Sequence, residues 1–201
     1  MDSTVWDDRY STKDYIWNAG PNSFVAEHLK DLPPGSVIDL AAGEGRNAVW
    51  LAERGWDATA VDFSPVGIEK AERLAADRGV SMTFVVGDAL TWEPAERVDL
   101  VVIAYLQLPE PQQVAVLERT ATWVKPGGTL FVVAHDRANV ASGYGGPPNE
   151  EVCYDLDRTV TALDGFDIQF AEVVERQVDN DDGHHVALDT VVIACASRVD
   201  P

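Results

Sequence analysis

Acidic residues and glycines in the first half of the chain are spaced as in a nucleoside-binding site. Asp39 ends a short apolar run, and Gly43 and Gly45 follow it. Glycine at such a bend lets the backbone approach a ligand where a Cβ atom would clash. A second apolar run ends in Asp62, whose carboxylate can accept hydrogen bonds from two ribose hydroxyls. This layout predicts a β-α-β unit that binds an adenosine-containing cofactor.

Alternating strands and helices are predicted to position these residues. Apolar runs predict strands over 36–40, 57–62, 82–86, 98–104 and 129–134, with helices between them over 45–54, 65–78 and 111–123. Ser64 is the predicted N-cap of the helix that opens at Pro65. Another helix is predicted after Asn22 or Ser23 as N-cap. Alternation of this kind is typical of a doubly wound, mostly parallel sheet with helices on both faces, which is the Rossmann-like α/β class.

The end of the chain departs from this alternation. A short helix is predicted near 155–163, and it is followed by strand-like segments over 167–177 and 185–196. The seven residues between those two strands, 178–184, are too few for a parallel crossover, which needs a dozen or more. We therefore expect a C-terminal antiparallel hairpin.

Charge and composition narrow the possible partners. The chain of 201 residues carries 34 acidic and 15 basic residues, for a formal net charge of −19. Nucleic acids and anionic membranes are bound through Lys and Arg, so neither is an expected partner. No apolar run approaches the ~20 residues of a membrane-spanning helix, and no signal peptide is evident, so a cytoplasmic location is predicted.

Two classes of cofactor fit the glycine bend. The spacing from Gly43 to Ala48, with Asp62 downstream, satisfies the dinucleotide fingerprint, so an NAD(P)-dependent oxidoreductase is one alternative. Asp39 favours S-adenosylmethionine instead, because a carboxylate repels a pyrophosphate and suits a ligand that carries an ammonium and a sulfonium. Asp88, after the third strand, can accept a hydrogen bond from the adenine amine. The terminal hairpin also differs from a fully parallel dinucleotide fold.

Several short motifs carry a resemblance to a known family: Trp6-Asp7-Asp8-Arg9-Tyr10, Pro21-Asn22, Gly43-Glu44-Gly45-Arg46-Asn47-Ala48, Val61-Asp62-Phe63-Ser64, Gly87-Asp88 and Lys125-Pro126-Gly127-Gly128. With them the chain resembles the class I S-adenosylmethionine (SAM)-dependent methyltransferases, and more narrowly their TehB-like and thiopurine methyltransferase branch. The resemblance implies a seven-stranded sheet in one domain over 1–201. Residues 1–32 would form an N-terminal helical lid and residues 36–201 the Rossmann-like core.

The resemblance also implies roles for individual residues. Asp39 and the Gly43–Gly45 bend would face the methionine part of the cofactor, and Asp62 would hold the ribose hydroxyls. Ala41 stands where the family commonly has its first glycine, a departure expected to be sterically mild. Arg46 would be either a contact for the cofactor carboxylate or a surface cation. The remaining expected contacts are Phe63, Asp88 and Ala89 around the adenine, Ala104 and Tyr105 on the methyl-transfer side, and Trp6 and Tyr10 in the lid.

The predicted function is methyl transfer to a small-molecule acceptor, such as a thiol or chalcogen compound, by a monomer or homodimer. Residues 103–106 lack the Asp/Asn-Pro-Pro-Tyr signature of amino methylation on nucleic acids or protein glutamine. An oxygen or nitrogen acceptor would need a base, for which His135 or Asp136 is best placed. No metal site is predicted, and a non-catalytic SAM-binding protein remains an alternative. The glycine-rich segment 143–149 is expected to be either a substrate-side lid or a passive connection.

Overall fold

A computed structural model describes residues 3–12, 15, 20–180 and 182–198. The chain divides into two compact units, which we call unit 1, ending at Ala104, and unit 2, beginning at Tyr105. Within the described residues, no helix is both long enough and apolar enough to cross a membrane.

Unit 1 contains four parallel strands in the order β3-β2-β1-β4. Their carboxyl ends lie at one edge, because Leu40 pairs with Val61 and Asp62 pairs with Val86. β4 is buried along most of its length, as its continuous apolar sequence predicts. The strands are β1 (Ser36–Leu40), β2 (Asp57–Asp62), β3 (Thr83–Val86) and β4 (Val98–Ala104).

The helices of unit 1 begin where local capping chemistry predicts. Ser64 accepts a hydrogen bond from the Gly67 N–H at 3.0 Å, and Asn22 accepts from the Phe24 N–H at 2.9 Å. α1 and α3 both pack against α4. The four helices are α1 (Ser3–Ser11), α2 (Ser23–Leu29), α3 (Arg46–Ala52) and α4 (Pro65–Arg78).

Unit 2 is built on an antiparallel group of three strands. β5 pairs with β7 from Thr129 to His135, and β7 pairs with β6 along its whole length. Helices and strands follow in the order α5 (Glu110–Ala121), β5 (Val124–His135), α6 (Ala138–Ser142), a 3₁₀ turn (Glu150–Val152), α7 (Leu156–Thr161), β6 (Phe166–Asn180) and β7 (Gly183–Ala196).

The seven strands belong to one sheet in the order β3-β2-β1-β4-β5-β7-β6. This confirms the predicted Rossmann-like class, with parallel pairing in unit 1 and an antiparallel hairpin at the C-terminal end. The start of β5 and the turn end of the hairpin differ most from the predicted boundaries. β5 starts at Val124 rather than 129, although its pairing with β7 begins at Thr129. The hairpin strands extend until Asn180 pairs with Gly183, so strand pairing reaches into the polar segment that the sequence assigned to a loop.

Candidate active site

The glycine bend after β1 contains three residues in the left-handed region of backbone conformation. Their φ values are +59° at Ala41, +56° at Gly43 and +76° at Gly45. The Ala42 N–H donates to the Val61 carbonyl at 3.0 Å, which joins the bend to β2. Left-handed backbone costs an alanine about 1–2 kcal/mol. The departure at Ala41 is therefore more strained than the sequence predicted, and such strain tends to collect at functional sites.

Protein atoms pack closely around both glycines of the bend. A Cβ atom on Gly43 would lie 2.7 Å from the Tyr10 hydroxyl, and one on Gly45 would lie 2.5 Å from the Ala71 Cβ. Both distances are too short for a real contact. Glycine is thus required here by packing against α1 and α4, in addition to the expected approach of a ligand.

Asp39 is a buried carboxyl with one unused oxygen. Its side chain is 1 % exposed, and Oδ2 accepts from the Ala48 N–H at 3.1 Å. Oδ1 has no hydrogen-bond partner among the described residues. Burial raises the pKa of Asp39 to about 7, although the Ala48 N–H and the charge of Arg46 oppose the shift. An unpaired buried carboxyl of this kind fits a cationic ligand, which would stabilise the ionised form.

Asp62 shares its carboxylate with the backbone of the bend. Oδ2 accepts from the Gly43 N–H at 2.8 Å and Oδ1 from the Ser64 N–H at 2.9 Å. Burial raises the pKa of Asp62, and the two backbone hydrogen bonds oppose this. Each carboxylate oxygen has a second lone pair, so Asp62 can still accept from hydroxyl groups. Phe63, beside it, is half-buried.

The third predicted carboxylate follows β3. Asp88 is exposed, and its Oδ1 accepts from the Leu90 N–H at 2.8 Å, while Ala89 is buried. β1, β2 and β3 are adjacent and parallel. The fold therefore brings Asp39, Asp62 and Asp88 to the same edge of the unit 1 strands. At the end of β4, Ala104 is half-buried.

α1 packs beside the bend and contributes the two predicted lid residues. Tyr10 is 4 % exposed, and its ring centroid is 5.5 Å from that of the half-buried Trp6. Burial raises the pKa of the Tyr10 hydroxyl, and the negative charge of Asp62 raises it further. The Ser64 hydroxyl donates to Asp7, which ties α1 to the start of α4. The remainder of the proposed lid falls partly outside the described residues.

Sequence reasoning missed a buried ion pair in the same unit. Glu44, within the bend, lies 3.0 Å from the Lys70 ammonium on α4, with side-chain exposures of 2 % and 4 %. A lysine on the inward face of an amphipathic helix is the only signal that could have indicated it. The pair holds the bend against α4. Arg46, the first residue of α3 after the bend, is half-buried.

Unit 2 holds a group of polar side chains around a carboxylate that the sequence did not single out. Asp189 on β7 is fully buried, and its Oδ2 accepts from the Tyr105 hydroxyl at 2.8 Å and from the Arg176 Nε at 2.6 Å. Its Oδ1 lies 3.0 Å from the His135 Nδ1, without good hydrogen-bond alignment. Burial raises the pKa of Asp189, but contacts with His135 and Arg176 outweigh it and lower the pKa overall.

The two candidate bases differ sharply in their surroundings. Asp136 is 6 % exposed, and both its oxygens are used: Oδ1 accepts from the Ala138 N–H and Oδ2 from the Thr190 hydroxyl. Its hydrogen bond from the Ala138 N–H fixes the turn into α6. His135 keeps 14 % exposure, and its Nε2 has no hydrogen bond among the described residues. Of the two predicted bases, His135 is the more exposed.

The glycine-rich segment after α6 packs on the same group. A Cβ atom on Gly146 would lie 3.0 Å from the His135 Nε2. Tyr144 stacks on His185 with ring centroids 3.8 Å apart, and its hydroxyl accepts from the Asn180 side chain. The segment thus packs against the His135 ring. In the part of the chain that is described, no group of three or more His, Cys, Asp or Glu side chains could hold a metal ion.

Comparison with known proteins agrees with this geometry. Residues 37–128 match the model of the Methyltransferase domain family. Ribosomal RNA small subunit methyltransferase C of Alcanivorax borkumensis is 33% identical over 108 residues, covering 51% of this chain and 33% of that protein. Probable thiol methyltransferase 2 of Arabidopsis thaliana is 25% identical over 169 residues, covering 81% and 73%. The chain spans about a third to a half of the length of the first curated relatives it matches.

Among solved structures, TehB from Haemophilus influenzae superposes with a TM-score of 0.76 at 17% identity, covering 96% of this chain and 67% of that chain. At this identity the likeness establishes the fold alone. The family match covers the bend and the three strand ends that carry Asp39, Asp62 and Asp88. The family match over residues 37–128 and the strand order make this chain similar to the class I SAM-dependent methyltransferases.

Proposed function

We propose that this protein transfers the methyl group of S-adenosylmethionine to a small-molecule acceptor. The observation that carries the proposal is the unpaired Oδ1 of the buried Asp39, at the carboxyl end of β1 before the glycine bend. A buried carboxyl without a partner costs stability unless a cation compensates it. A sulfonium nucleoside with an ammonium group supplies that compensation, whereas the pyrophosphate of a dinucleotide would repel it.

The cofactor contacts are proposed from the predicted residues of unit 1. Asp39 would attract the cationic amino acid end, and Asp62 would accept from the ribose hydroxyls with its remaining lone pairs. Tyr10 and Trp6 would cover the ligand as part of an N-terminal lid in a single domain over 1–201. The other proposed contacts are Ala41, Gly43, Gly45, Arg46, Phe63, Asp88, Ala89 and Ala104.

Methyl transfer from this cofactor requires little of the protein beyond the alignment of the two reactants. When bound, S-adenosylmethionine supplies an electrophilic methyl group and a neutral thioether leaving group. Holding two reactants in line is worth up to about 7–11 kcal/mol of the barrier. The rigid bend, fastened to α1 and α4 by close packing and by the Glu44–Lys70 pair, suits this task.

The acceptor is proposed to be a thiol or chalcogen compound. The similarity to a plant protein named as a probable thiol methyltransferase supports a thiol. One relative is named for ribosomal RNA, but its match spans only about half of this chain. The net charge of −19 argues against an RNA acceptor here, because phosphate binding depends on basic residues. A cytoplasmic monomer or homodimer is part of the same proposal.

Thermal unfolding with two competing ligands tests the proposal. S-adenosylhomocysteine at about 100 times its Kd should stabilise the protein by ~2.7 kcal/mol, and NADH should not. Turnover of S-adenosylmethionine with a panel of thiol, selenol, phenol and amine acceptors then separates an enzyme from a non-catalytic binding protein. Stabilisation by NADH alone would favour the oxidoreductase alternative.

A further inference from the structure

We infer that Lys70 is a positioning residue for the cofactor: it holds the glycine bend through Glu44, and the bend in turn orients the carboxylate of Asp62. The inference rests on the proposed methyltransferase function, and all of its residues lie in unit 1. Lys70 acts through Glu44 rather than by contact with the ligand. Its effect on cofactor affinity passes through a short series of contacts.

The bend has one side chain that is long enough to anchor it. Residues 41–45 read Ala-Ala-Gly-Glu-Gly, so only Glu44 extends beyond a methyl group. Gly43 and Gly45 on either side of it have φ values of +56° and +76°. Glycine has many other backbone conformations open to it, so the bend does not keep this shape by backbone preference alone. Contacts with neighbouring elements must supply the rest.

The anchor is a buried ion pair between the bend and α4. The Lys70 ammonium donates to the Glu44 Oε1 at 3.0 Å, and the two side chains are 4 % and 2 % exposed. Removing two charges from water is costly, so apolar side chains of similar volume often stabilise a fold equally well. An ion pair differs from such packing because it holds the carboxylate at one point, beside the ammonium. The value of this pair therefore lies in fixing where Glu44, and with it the bend, is held.

Lys70 belongs to the face of α4 that packs against the bend. Gly67 and Ala71 share this face with it, because residues three and four apart lie on the same side of a helix. A Cβ atom on Gly67 would lie 3.0 Å from the Gly43 carbonyl oxygen, and one on Gly45 would lie 2.5 Å from the Ala71 Cβ. Small residues thus let the backbone of the bend come close to α4. Lys70 is the long side chain of this face, and it reaches Glu44.

The bend is joined to the carboxylate proposed to hold the ribose. The Gly43 N–H donates to Asp62 Oδ2 at 2.8 Å, and the Ser64 N–H donates to Oδ1 at 2.9 Å. The second bond is local, since Ser64 follows Asp62 by two residues. The first bond depends on where Glu44 holds the bend. A shift of the bend would therefore remove one of the two bonds that orient the Asp62 carboxylate.

A neutral pair of side chains tests the inference without changing the net charge. Glu44→Gln/Lys70→Met removes one negative and one positive charge. Its Kd for S-adenosylhomocysteine, measured by calorimetry on folded protein without denaturant, should rise about 3- to 30-fold. Glu53→Gln/Arg78→Met is the matched control, because this more exposed pair joins the C-cap of α3 to the end of α4 at 3.2 Å. The Kd of the control should stay within about twofold of wild type.

A charge-swapped variant separates positioning from direct attraction of the ligand. Glu44→Lys/Lys70→Glu rebuilds the ion pair with reversed polarity, so its Kd should return to within about threefold of wild type. If Glu44 instead attracted the ammonium of the ligand by its own charge, the swapped variant would bind more weakly than the neutral one. That result would overturn the inference. If one of the two double variants does not fold, the Kd of the other decides.

Amide hydrogen exchange without ligand supplies a readout that does not depend on binding. The Gly43 and Ser64 N–H groups donate to the same carboxylate, but only Gly43 belongs to the bend. In the neutral variant the Gly43 amide should exchange at least about threefold faster relative to the Ser64 amide. Equal acceleration of both amides, as general loosening would produce, would overturn the inference.

The two proposals fail in different ways. Wild type that binds S-adenosylhomocysteine, with equal affinity in the neutral variant, would refute the role of Lys70 and leave the proposed function standing. Wild type that does not bind S-adenosylhomocysteine would refute the proposed function and with it this inference.

Discussion

Replacement of Asp39 by asparagine should change how the stability of this protein depends on pH. The Asp39 side chain is 1 % exposed, and its Oδ1 has no partner among the described residues. Burial raises its pKa from 3.8 to about 7, because the ionised carboxyl loses its hydration. Asparagine fills nearly the same volume and carries no charge, so the difference between the two proteins isolates this carboxyl.

The direction and the size of this pH effect on the free energy of unfolding follow from proton linkage. The folded protein holds the Asp39 proton more tightly than the unfolded chain, so unfolding releases a proton between pH 3.8 and about pH 7. The stability of wild type therefore falls as pH rises through this window and is level above it. At 1.36 kcal/mol per unit, the whole shift corresponds to ~4 kcal/mol, of which ~2.5 kcal/mol is lost between pH 5 and pH 8. Asp39→Asn lacks this loss.

Urea unfolding of both proteins at pH 5, 6, 7 and 8, without cofactor, measures the effect. The free energy of unfolding of the variant minus that of wild type should grow by ~2.5 kcal/mol from pH 5 to pH 8. An unsatisfied amide in place of Oδ1 costs about 1–3 kcal/mol, but this offset is the same at every pH and cancels. Asp57→Asn, exposed at the start of β2, is the control and should show a constant difference. A constant difference for Asp39→Asn as well would refute the reasoning.

Three further outcomes follow from the contacts of unit 1. Asp62→Ala should weaken S-adenosylhomocysteine binding about 10- to 150-fold in calorimetry, because charge-assisted hydrogen bonds worth ~1.5–3 kcal/mol are lost; unchanged affinity would contradict the ribose assignment. Gly43→Ala should reduce the free energy of unfolding by ~1–2 kcal/mol from its φ of +56° and by ~1–3 kcal/mol from overpacking against the Tyr10 hydroxyl. Adding Tyr10→Phe should recover only the second part, and full recovery would disprove the backbone strain. Lys70→Met should cost about 3–5 kcal/mol in urea unfolding by removing the cation that lies 3.0 Å from the buried Glu44 carboxylate, and Glu44→Gln in the same chain should restore most of it.

Local chemistry explains why much of the fold was predictable. The bounds of β1, β2, α4 and β4 agree with the sequence prediction. In α4, Ser64 accepts the first free N–H and Pro65 has the backbone angle of a first helical turn, so both signals lie within a few residues of the boundary they set. The terminal hairpin was predictable because a short connection permits only antiparallel pairing. The helix α6 was not predicted, and α1 was expected only through the family resemblance, as part of a helical lid over 1–32, since it has no pronounced apolar face.

The sequence by itself determined the strand–helix alternation, the glycine bend and the carboxylates that end β1 and β2, because spacing along the chain encodes them. Only the tertiary structure decided which of these groups are left without a partner. Asp39 acquires its raised pKa from burial, a property of the packed unit rather than of neighbouring residues. His135 and Asp136 are adjacent in sequence, yet His135 lies beside the buried Asp189 and Asp136 bonds to the Ala138 N–H and the Thr190 hydroxyl. The register between β5 and β7 makes that choice, since it sets Asp189 opposite His135 across more than fifty residues of chain.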